Sequence, residues 1–459
     1  MIKESLIGEF EKIVGKENVL TSKEALKAYS YDGTSSWVHE PDLVVFPTNS
    51  KQISAVLKIA NAEKIPVTPR GGGTNVSGGS VPIQGGIVLC TTRMNQILKI
   101  DKENLTATVE PGVVLQDLTM RLAKEGLFFP PDPQSFLGAT MGGIIAENAG
   151  GPACVKYGVT KQYILGLEVV LPTGEIVNLG GRTLKNVVGY DLIHIFISSE
   201  GTLGVITKAE LKLNPLPPAS KTIMAVYGDS AEAGESVFRV LENGVIPAKI
   251  EFMDNWIINR VEEMMPMGLP TDADAILLFQ SDGIPEAVEK ETEKIVEVAK
   301  KFGAKDVRVA KDADEALKYW TARKAGFAAT FGKTKTVFSE DVTVPRGNMP
   351  ALIRKCKELM KKYNVEIVTV GHAGDGNLHP SVLTDINDKD HYDRAVKAMD
   401  EIINTAVELG GVLSGEHGIG LEKQKFFNKV TDPVVIKMMK DIKALFDPNN
   451  IMNPGKIWD

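Results

Sequence analysis

The side chains best suited to chemistry lie in two glycine-rich segments near the carboxyl end of the chain. Residues 371–379 read Gly-His-Ala-Gly-Asp-Gly-Asn-Leu-His, and residues 415–418 read Gly-Glu-His-Gly. The chain has six histidines in 459 residues, so the presence of three of them in these segments is informative. Neutral imidazoles with a carboxylate suit zinc, iron or manganese, and an imidazole also accepts a proton near neutral pH. The two segments therefore predict a metal site with an adjacent general base.

A third glycine-rich segment lies far upstream. Residues 69–79 read Pro-Arg-Gly-Gly-Gly-Thr-Asn-Val-Ser-Gly-Gly, a pattern that lets backbone amides surround a phosphate. No helix pattern follows Gly71–Gly73 and the P-loop lysine is missing, so neither common nucleotide fingerprint applies. Taken alone, the segment could equally be a plain turn, but a glycine-rich companion at 138–151 favours an anion site. Together with the histidines, it predicts a cofactor enzyme acting on a small polar substrate.

Composition narrows the classes of protein to which the chain can belong. A formal net charge of −7 argues against a general nucleic-acid surface, which needs a basic stripe. No apolar run approaches the roughly 18 residues that span a bilayer, and the first residues lack the apolar core of a signal peptide. Cys90, Cys154 and Cys356 are isolated and match no disulfide framework or iron–sulfur spacing. We therefore expect a cytoplasmic protein whose redox centre is an organic cofactor or the histidine site.

The elements that must position these segments differ between the two halves of the chain. Residues 1–38 predict a helical lead-in, Leu43–Phe46 predicts a strand, and a helix follows with Ser50 as its N-cap. Pro172-Thr-Gly174 between two β-type runs predicts a hairpin. Residues 126–160, rich in Gly, Pro, Ala and Asn, show little regular pattern.

The segment Asn214-Pro-Leu-Pro-Pro218 is the best domain boundary, because consecutive prolines stiffen a connection. Beyond it the pattern predicts helices that alternate with short strands. The predicted helices are 229–243, 285–303, 312–330, 348–363 and 388–410.

Several motifs, in order, resemble a known family. The segments at 70–79, 131–133, 138–143 and 200–207, with Asn148, resemble the FAD-binding domain of the vanillyl-alcohol-oxidase type. Residues 371–379, 415–418 and 453–456 resemble the C-terminal half of the D-lactate dehydrogenase and glycolate oxidase branch. The resemblance extends from about residue 40 to 456. It implies an α+β fold with a two-subdomain FAD-binding domain at 1–217, an α+β substrate (cap) domain at 218–414, and a C-terminal segment, 415–459, that packs back on the FAD domain.

The same resemblance implies which residues bind FAD. No histidine lies between His39 and His194, so the covalent attachment seen in some relatives is not available and FAD is expected to bind non-covalently. The implied cofactor-binding residues are Arg70, Gly71, Gly72, Gly73, Thr74, Asn75, Gly78, Gly79, Pro131, Asp132, Gly138, Thr140, Gly142, Gly143, Asn148, Glu200, Gly204, Ile206 and Asn453.

Roles in catalysis follow from the resemblance and from residue chemistry. One divalent ion (Zn, Fe or Mn) would be held by His372, His379 and Glu416, with Asp375 as a competing ligand or a residue that shapes the turn. His417 would be the general base, although a second metal-ligand role stays open. Arg323 would bind the substrate carboxylate, unless it is a solvated helix arginine, and Asn377 would also contact the substrate.

Two departures from relatives that oxidise 2-hydroxyglutarate bear on the substrate. The segment Phe338–Val344 has no lysine, and Ser381 stands where those relatives have asparagine. Both changes remove groups that would hold a second carboxylate, so a short monocarboxylate is expected. D-lactate is favoured, glycolate is the alternative, and a D-2-hydroxyglutarate-type activity is less favoured.

The electrons need an acceptor outside the chain. The resemblance implies electron-transfer flavoprotein subunits, as in a bifurcating lactate dehydrogenase complex, with an iron–sulfur subunit as the alternative. Two rivals from other classes stay open: a flavin-free metal-dependent hydrolase and a non-catalytic FAD-carrying subunit.

Overall fold

The computed structural model describes residues 2–34, 36–330 and 336–458. The α-helices are α1 Glu4–Val14, α2 Lys23–Lys27, α3 Ser50–Glu63, α4 Leu115–Ala123, α5 Met141–Glu147, α6 Cys154–Tyr157, α7 Ile193–Phe196, α8 Ser230–Glu242, α9 Asn255–Met264, α10 Pro285–Lys301, α11 Ala313–Thr330, α12 Met349–Tyr363, α13 Lys389–Glu408, α14 Gln424–Val430 and α15 Pro433–Phe446. The strands are β1 Val19–Leu20, β2 Leu43–Val45, β3 Val67–Arg70, β4 Ile87–Cys90, β5 Ile97–Asp101, β6 Thr106–Val109, β7 Leu127–Phe128, β8 Ile164–Val170, β9 Ile176–Gly180, β10 Val205–Lys212, β11 Asn214–Pro215, β12 Ala219–Tyr227, β13 Lys249–Asp254, β14 Ala275–Gly283, β15 Ala304–Val309, β16 Thr336–Ser339, β17 Val342–Thr343, β18 Glu366–His372 and β19 Asn377–Thr384.

The chain forms two compact units. The first unit comprises Met1–Ala149, Val159–Leu216 and Glu416–Asp459, and the second unit comprises Gly150–Gly158 and Pro217–Gly415. The five helices predicted beyond residue 218 correspond to α8 and to α10 through α13, each within a few residues of the expected ends. These predictions are confirmed. Helices α8, α10, α12 and α13 have the strong amphipathic periodicity by which long surface helices are recognised in a sequence.

The first unit contains a four-stranded sheet with the order β1-β2-β4-β3, in which β2, β4 and β3 are parallel. Every residue of β2 and β4 is buried, as expected for parallel strands covered on both faces. Helix α3 packs its Ile53, Val56 and Leu57 into this core. The N-cap of α3 is Asn49, whose side chain accepts from the Gln52 amide, so the prediction of Ser50 as the cap is wrong by one residue.

A second, antiparallel sheet in the first unit has the order β5-β6-β10-β8-β9. The hairpin predicted around Gly174 is confirmed by the antiparallel pairing of β8 with β9. Most of 126–160 lies outside helices and strands, as predicted, but the sequence pattern missed the short helices α5 and α6. In α5, Gly142 lies where a Cβ atom would come 2.8 Å from Pro111 Cβ, so glycine provides close packing rather than flexibility.

The second unit is built on one sheet with the order β15-β12-β14-β13-β18-β19-β16, and β17 also pairs with β19. Its apolar core joins this sheet to α9 and α11, with Ile257, Val261, Ala322 and Val368 among the buried residues. Within the described ranges, every helix is too short or too polar to form a transmembrane span.

The chain returns to the first unit near its carboxyl end. The Val67 amide of β3 donates to Ile451 O at 2.7 Å, and the Asn453 amide donates to Val67 O at 2.7 Å. The buried Asp447 carboxylate accepts from the Ile451 and Met452 amides and pairs with the buried Lys443 ammonium. Lys443 also donates to Thr202 O at 2.8 Å, so this ion pair fixes the tail against β3 and its neighbours.

Replacing Asp447 with alanine is expected to destabilise the first unit by about 3–5 kcal/mol, because the Lys443 charge would stay buried without its partner. The midpoint of thermal unfolding measures this loss. Asp441→Ala is the control, since the Asp441–Lys437 pair is exposed and such pairs contribute about 0–1 kcal/mol. Equal midpoints for the two variants would contradict the assignment.

Candidate active site

The glycine loop at 71–79 begins directly after β3 and touches the second glycine-rich segment. A Cβ atom on Gly71 would clash with Thr140 Oγ1, and one on Gly72 would clash with Gly138 O. Gly73 has φ +66 and Gly78 has φ +77, a backbone conformation that favours glycine. The two segments predicted to bind one cofactor are therefore in contact within the first unit.

Polar groups around this loop are suited to a phosphate or a flavin ring. Ser77 Oγ and Thr140 Oγ1 are buried and have no hydrogen-bond partner among the described residues. A buried hydroxyl without a partner is costly, so a bound ligand is the natural recipient of its hydrogen bond. This observation, together with the glycine-rich backbone of the loop, fits the FAD expected from the sequence.

Other predicted cofactor residues hold the loop by bonds to protein. Arg70 donates to Tyr31 O at 2.7 Å, and Asn75 donates to Asp32 Oδ2 at 2.6 Å. Asn453 donates to Gly79 O at 2.8 Å and to Glu200 O at 2.7 Å. Burial lowers the pKa of Arg70, against the opposing effect of nearby acidic groups. These side chains support the loop at 71–79 and its partner segment at 138–143, which together we call the cradle. Their direct contact with FAD stays a prediction.

Three further residues implied to bind FAD are Asn148, at the end of α5, and Gly204 and Ile206, at the start of β10. Asn148 ends α5 with φ +53, and its Oδ1 accepts from the Lys161 amide at 2.9 Å. A Cβ atom on Gly204 would come 2.9 Å from Val169 Cγ1, and Ile206 pairs with Val169 in the sheet. Strand packing alone accounts for glycine at 204.

The segment that carries Glu416 and His417 also contacts the glycine loop. The Leu421 amide donates to Ser77 O at 2.8 Å, and a Cβ atom on Gly420 would clash with that same carbonyl. The Glu200 carboxylate accepts from the Ile419 amide at 2.8 Å and from the Gly420 amide at 2.7 Å. The predicted base therefore lies two residues from a loop that is fastened beside the cradle.

Sequence reasoning missed Glu147, which lies under this segment. Gly418 has φ +82, and a Cβ atom there would come 2.5 Å from Glu147 Oε2. Burial, reinforced by the neighbouring Glu200 carboxylate, raises the pKa of Glu147 well above its usual range. The distance between His417 Nε2 and Glu416 Oε1 is 3.9 Å.

In the second unit, a tight turn joins β18 to β19 and brings the two predicted metal-binding histidines together. Their ring centroids are 5.2 Å apart with an interplanar angle of 84°. Asp375 lies within the turn. Gly376 has φ +75, and a Cβ atom there would clash with Val344 O, so this position requires glycine. His372 pairs with Asn377 across the ladder, so three predicted site residues share one end of this hairpin.

A buried carboxylate, also missed from the sequence, links His372 to Arg323. Glu251 Oε1 is 2.8 Å from His372 Nδ1, and Glu251 Oε2 is 2.7 Å from Arg323 Nη2. Burial raises the pKa of Glu251, but Arg323 and His372 outweigh that effect and the net pKa is lowered. The carboxylate is therefore ionised. With Nδ1 committed to Glu251, His372 would bind a metal through Nε2.

Arg323 is not a solvated helix arginine. Its side chain in α11 is 1% exposed, and Nε and Nη1 have no hydrogen-bond partner among the described residues. A buried guanidinium with two such donors is suited to an incoming carboxylate. Arg323 was selected from the sequence by resemblance to the family, supported by a helical spacing that sets Trp320 and Phe327 on an apolar side.

Asp341 organises the opposite side of the hairpin. Its Oδ1 accepts from Asn377 Nδ2 at 2.9 Å and is 3.8 Å from His379 Nδ1, while its Oδ2 accepts from Ser414 at 2.6 Å. Asn377 Oδ1 is buried without a hydrogen-bond partner in the described part of the chain. Two imidazoles with nearby carboxylates form a donor set that fits zinc, iron or manganese.

Comparisons with known proteins identify the family of the chain. The family described as FAD linked oxidases, C-terminal domain, matches residues 216–457, and the family described as FAD binding domain matches residues 41–180. The glycolate oxidase subunit GlcD of Bacillus subtilis is 44% identical over 100% of this chain and 96% of its own length. The D-lactate dehydrogenase of Archaeoglobus fulgidus is 38% identical over 94% of this chain and 95% of its own length.

A solved structure shares the fold. p-Cresol methylhydroxylase with bound substrate gives a TM-score of 0.83 at 21% identity, covering 99% of this chain and 96% of that one. This likeness confirms the predicted α+β fold with an FAD-binding domain.

Gly72→Ala is expected to abolish FAD retention, because the new methyl group would displace the Gly138 carbonyl and separate the two glycine segments. The ratio of flavin to protein absorbance after purification measures this. Gly181→Ala is the matched control, since a Cβ atom there meets nothing within 4 Å. A yellow Gly72→Ala protein with a wild-type ratio would show that the cradle lies elsewhere.

Proposed function

Because the chain belongs to the family of FAD-linked oxidases, we propose that it oxidises a short 2-hydroxy monocarboxylate, with D-lactate favoured over glycolate. The proposal is carried by Arg323, a buried guanidinium with two donors available for a carboxylate. Similar proteins named as glycolate oxidase subunits and D-lactate dehydrogenases act on compounds of this class.

Oxidation of a 2-hydroxy acid requires a hydride acceptor, a site that binds the substrate and a base that accepts the hydroxyl proton. FAD, when bound, supplies the acceptor for the hydride that leaves the carbon bearing the hydroxyl. Arg323 would hold the carboxylate and Asn377 would contact the substrate hydroxyl region. His417 would accept the hydroxyl proton, since an imidazole is suited to proton uptake near neutrality.

A divalent ion would assist the removal of the hydroxyl proton. We assign it to His372, His379 and Glu416, where Lewis acidity would lower the pKa of the substrate hydroxyl. Asp341 would orient His379 and Asn377, because it lies beside both. The donor set is compatible with zinc, iron or manganese.

The lining of the hairpin supports a monocarboxylate over a dicarboxylate. Ser381 is buried and its hydroxyl bonds to Ser339 Oγ at 2.9 Å, so neither group is committed to a second substrate carboxylate. No lysine occurs in Phe338–Val344. A diacid would therefore bring a charge that this face does not match.

We further propose that the electrons leave to a partner protein. The chain has three cysteines at 90, 154 and 356, too far apart in sequence for an iron–sulfur motif. Electron-transfer flavoprotein subunits are the favoured acceptor and an iron–sulfur subunit is the alternative.

Anaerobic titration of the FAD-loaded protein tests the reaction and its substrate together. D-lactate is expected to bleach the flavin fully, glycolate to do so with lower affinity, and L-lactate and D-2-hydroxyglutarate to leave it oxidised. Stronger bleaching by glycolate would favour the alternative, and no bleaching by any of them would refute the proposal.

His417→Gln is expected to lower the rate of flavin reduction by about 10²–10⁴-fold with little change in D-lactate affinity, because only proton abstraction is lost. Stopped-flow reduction at saturating D-lactate measures the rate. His391→Gln is the control, since His391 lies in α13 and bonds to Thr384. An unchanged rate in His417→Gln would remove this histidine from the mechanism.

A further inference from the structure

One side chain of the second unit contacts both halves of the proposed chemistry. Glu251 is completely buried in β13, where one carboxylate oxygen meets His372 and the other meets Arg323. We infer that Glu251 is a positioning residue that fixes the metal-binding atom of His372 and the orientation of Arg323 at the same time. The inference rests on the proposed function, in which these two residues bind the metal and the substrate carboxylate.

The fold brings Glu251 to this position through strand register. Phe252 of β13 lies opposite Gly371 of β18 in an antiparallel pairing. Moving one residue in opposite directions along the two strands places Glu251 across from His372. Helix α11 contributes Arg323 from a different part of the same unit. Three elements therefore meet at one carboxylate.

The contact with Glu251 determines which ring nitrogen of His372 carries the proton. A carboxylate acceptor at Nδ1 keeps the proton on that nitrogen and leaves the Nε2 lone pair for a metal. The second oxygen offsets the charge of a guanidinium that is 1% exposed. Only an ionised carboxyl group offers two acceptors at once, so an amide at this position can serve one partner but not both.

A second acid on the same strand, the half-buried Asp254, has a purely structural role. Asp254 accepts from the backbone amides of Ile257 at 3.0 Å and Thr369 at 2.5 Å, and caps helix α9. Its hydrogen bonds go to backbone, whereas Glu251 contacts two side chains assigned to the reaction. Asp254→Asn is therefore a matched control for Glu251→Gln.

The first experiment measures metal and substrate binding separately in the FAD-loaded full chain. Zn²⁺ affinity is obtained by equilibrium dialysis with elemental analysis, and D-lactate affinity by anaerobic flavin bleaching at saturating Zn²⁺. In Glu251→Gln the charged Arg323 is expected to take the single amide oxygen, which turns the amide nitrogen toward His372 and reverses its tautomer. Zn²⁺ affinity should fall about 10–100-fold, while FAD content and the Asp254→Asn control stay at wild-type values.

The second experiment separates positioning from general support. In Glu251→Gln with Arg323→Met, the amide oxygen is released from its competitor and is available to His372. Zn²⁺ affinity should recover to within about threefold of wild type, although D-lactate affinity stays lost. A structural role predicts no such recovery, so equal Zn²⁺ affinities in the single and double variants would overturn the inference.

A neutral pair decides the question if Glu251→Gln alone does not fold. Glu251→Gln with Arg323→Met should bind Zn²⁺ at least about tenfold more tightly than Glu251→Leu with Arg323→Met, because only glutamine offers an acceptor to His372. Equal affinities would overturn the inference. A wild-type protein that neither binds Zn²⁺ nor is bleached by a 2-hydroxy acid would instead refute the proposed function.

Discussion

The arrangement of the first unit depends on backbone contact between segments that carry no side chain where they meet. The loop at 71–79 touches Gly138 through Gly72 and touches Gly420 through the Ser77 carbonyl. These contacts join regions from the beginning, the middle and the end of the sequence. A methyl group at either glycine would separate them, so the close approach is a steric requirement. The cradle and the segment that bears His417 are consequences of the same constraint.

Acidic side chains lie beside the glycine-rich segments and contact their backbone or their side chains. Glu200 holds the amides of residues 419 and 420, while Glu147 lies beneath Gly418 with its pKa raised by burial. In the second unit the ionised Glu251 joins His372 to Arg323. Two acids whose pKa values are shifted in opposite directions thus lie beside the two histidine-bearing segments. Glu147 lies against the backbone at Gly418, and the Glu251 carboxylate is stabilised by the Arg323 cation.

The chemically active segments could be predicted from the sequence, whereas the acidic residues that contact them could not. Histidine is rare in this chain and glycine clusters are conspicuous, so the segments at 71–79, 371–379 and 415–418 could be recognised without coordinates. Long helices and the hairpin at Gly174 were also predictable, because periodicity and turn chemistry are local properties. Glu147, Glu251 and Asp341 were not. Each is one of 59 acidic residues, and its partners are set by packing and strand register between distant parts of the chain.

The bond between Asn453 and the Gly79 carbonyl links positions 374 residues apart. During synthesis the ribosome completes the glycine loop long before it reaches that asparagine. At roughly 5–20 residues synthesised per second, the hydrogen bond from Asn453 to Gly79 can form only on the order of tens of seconds after the loop is made. The Gly79 carbonyl therefore lacks this hydrogen-bond donor throughout that interval.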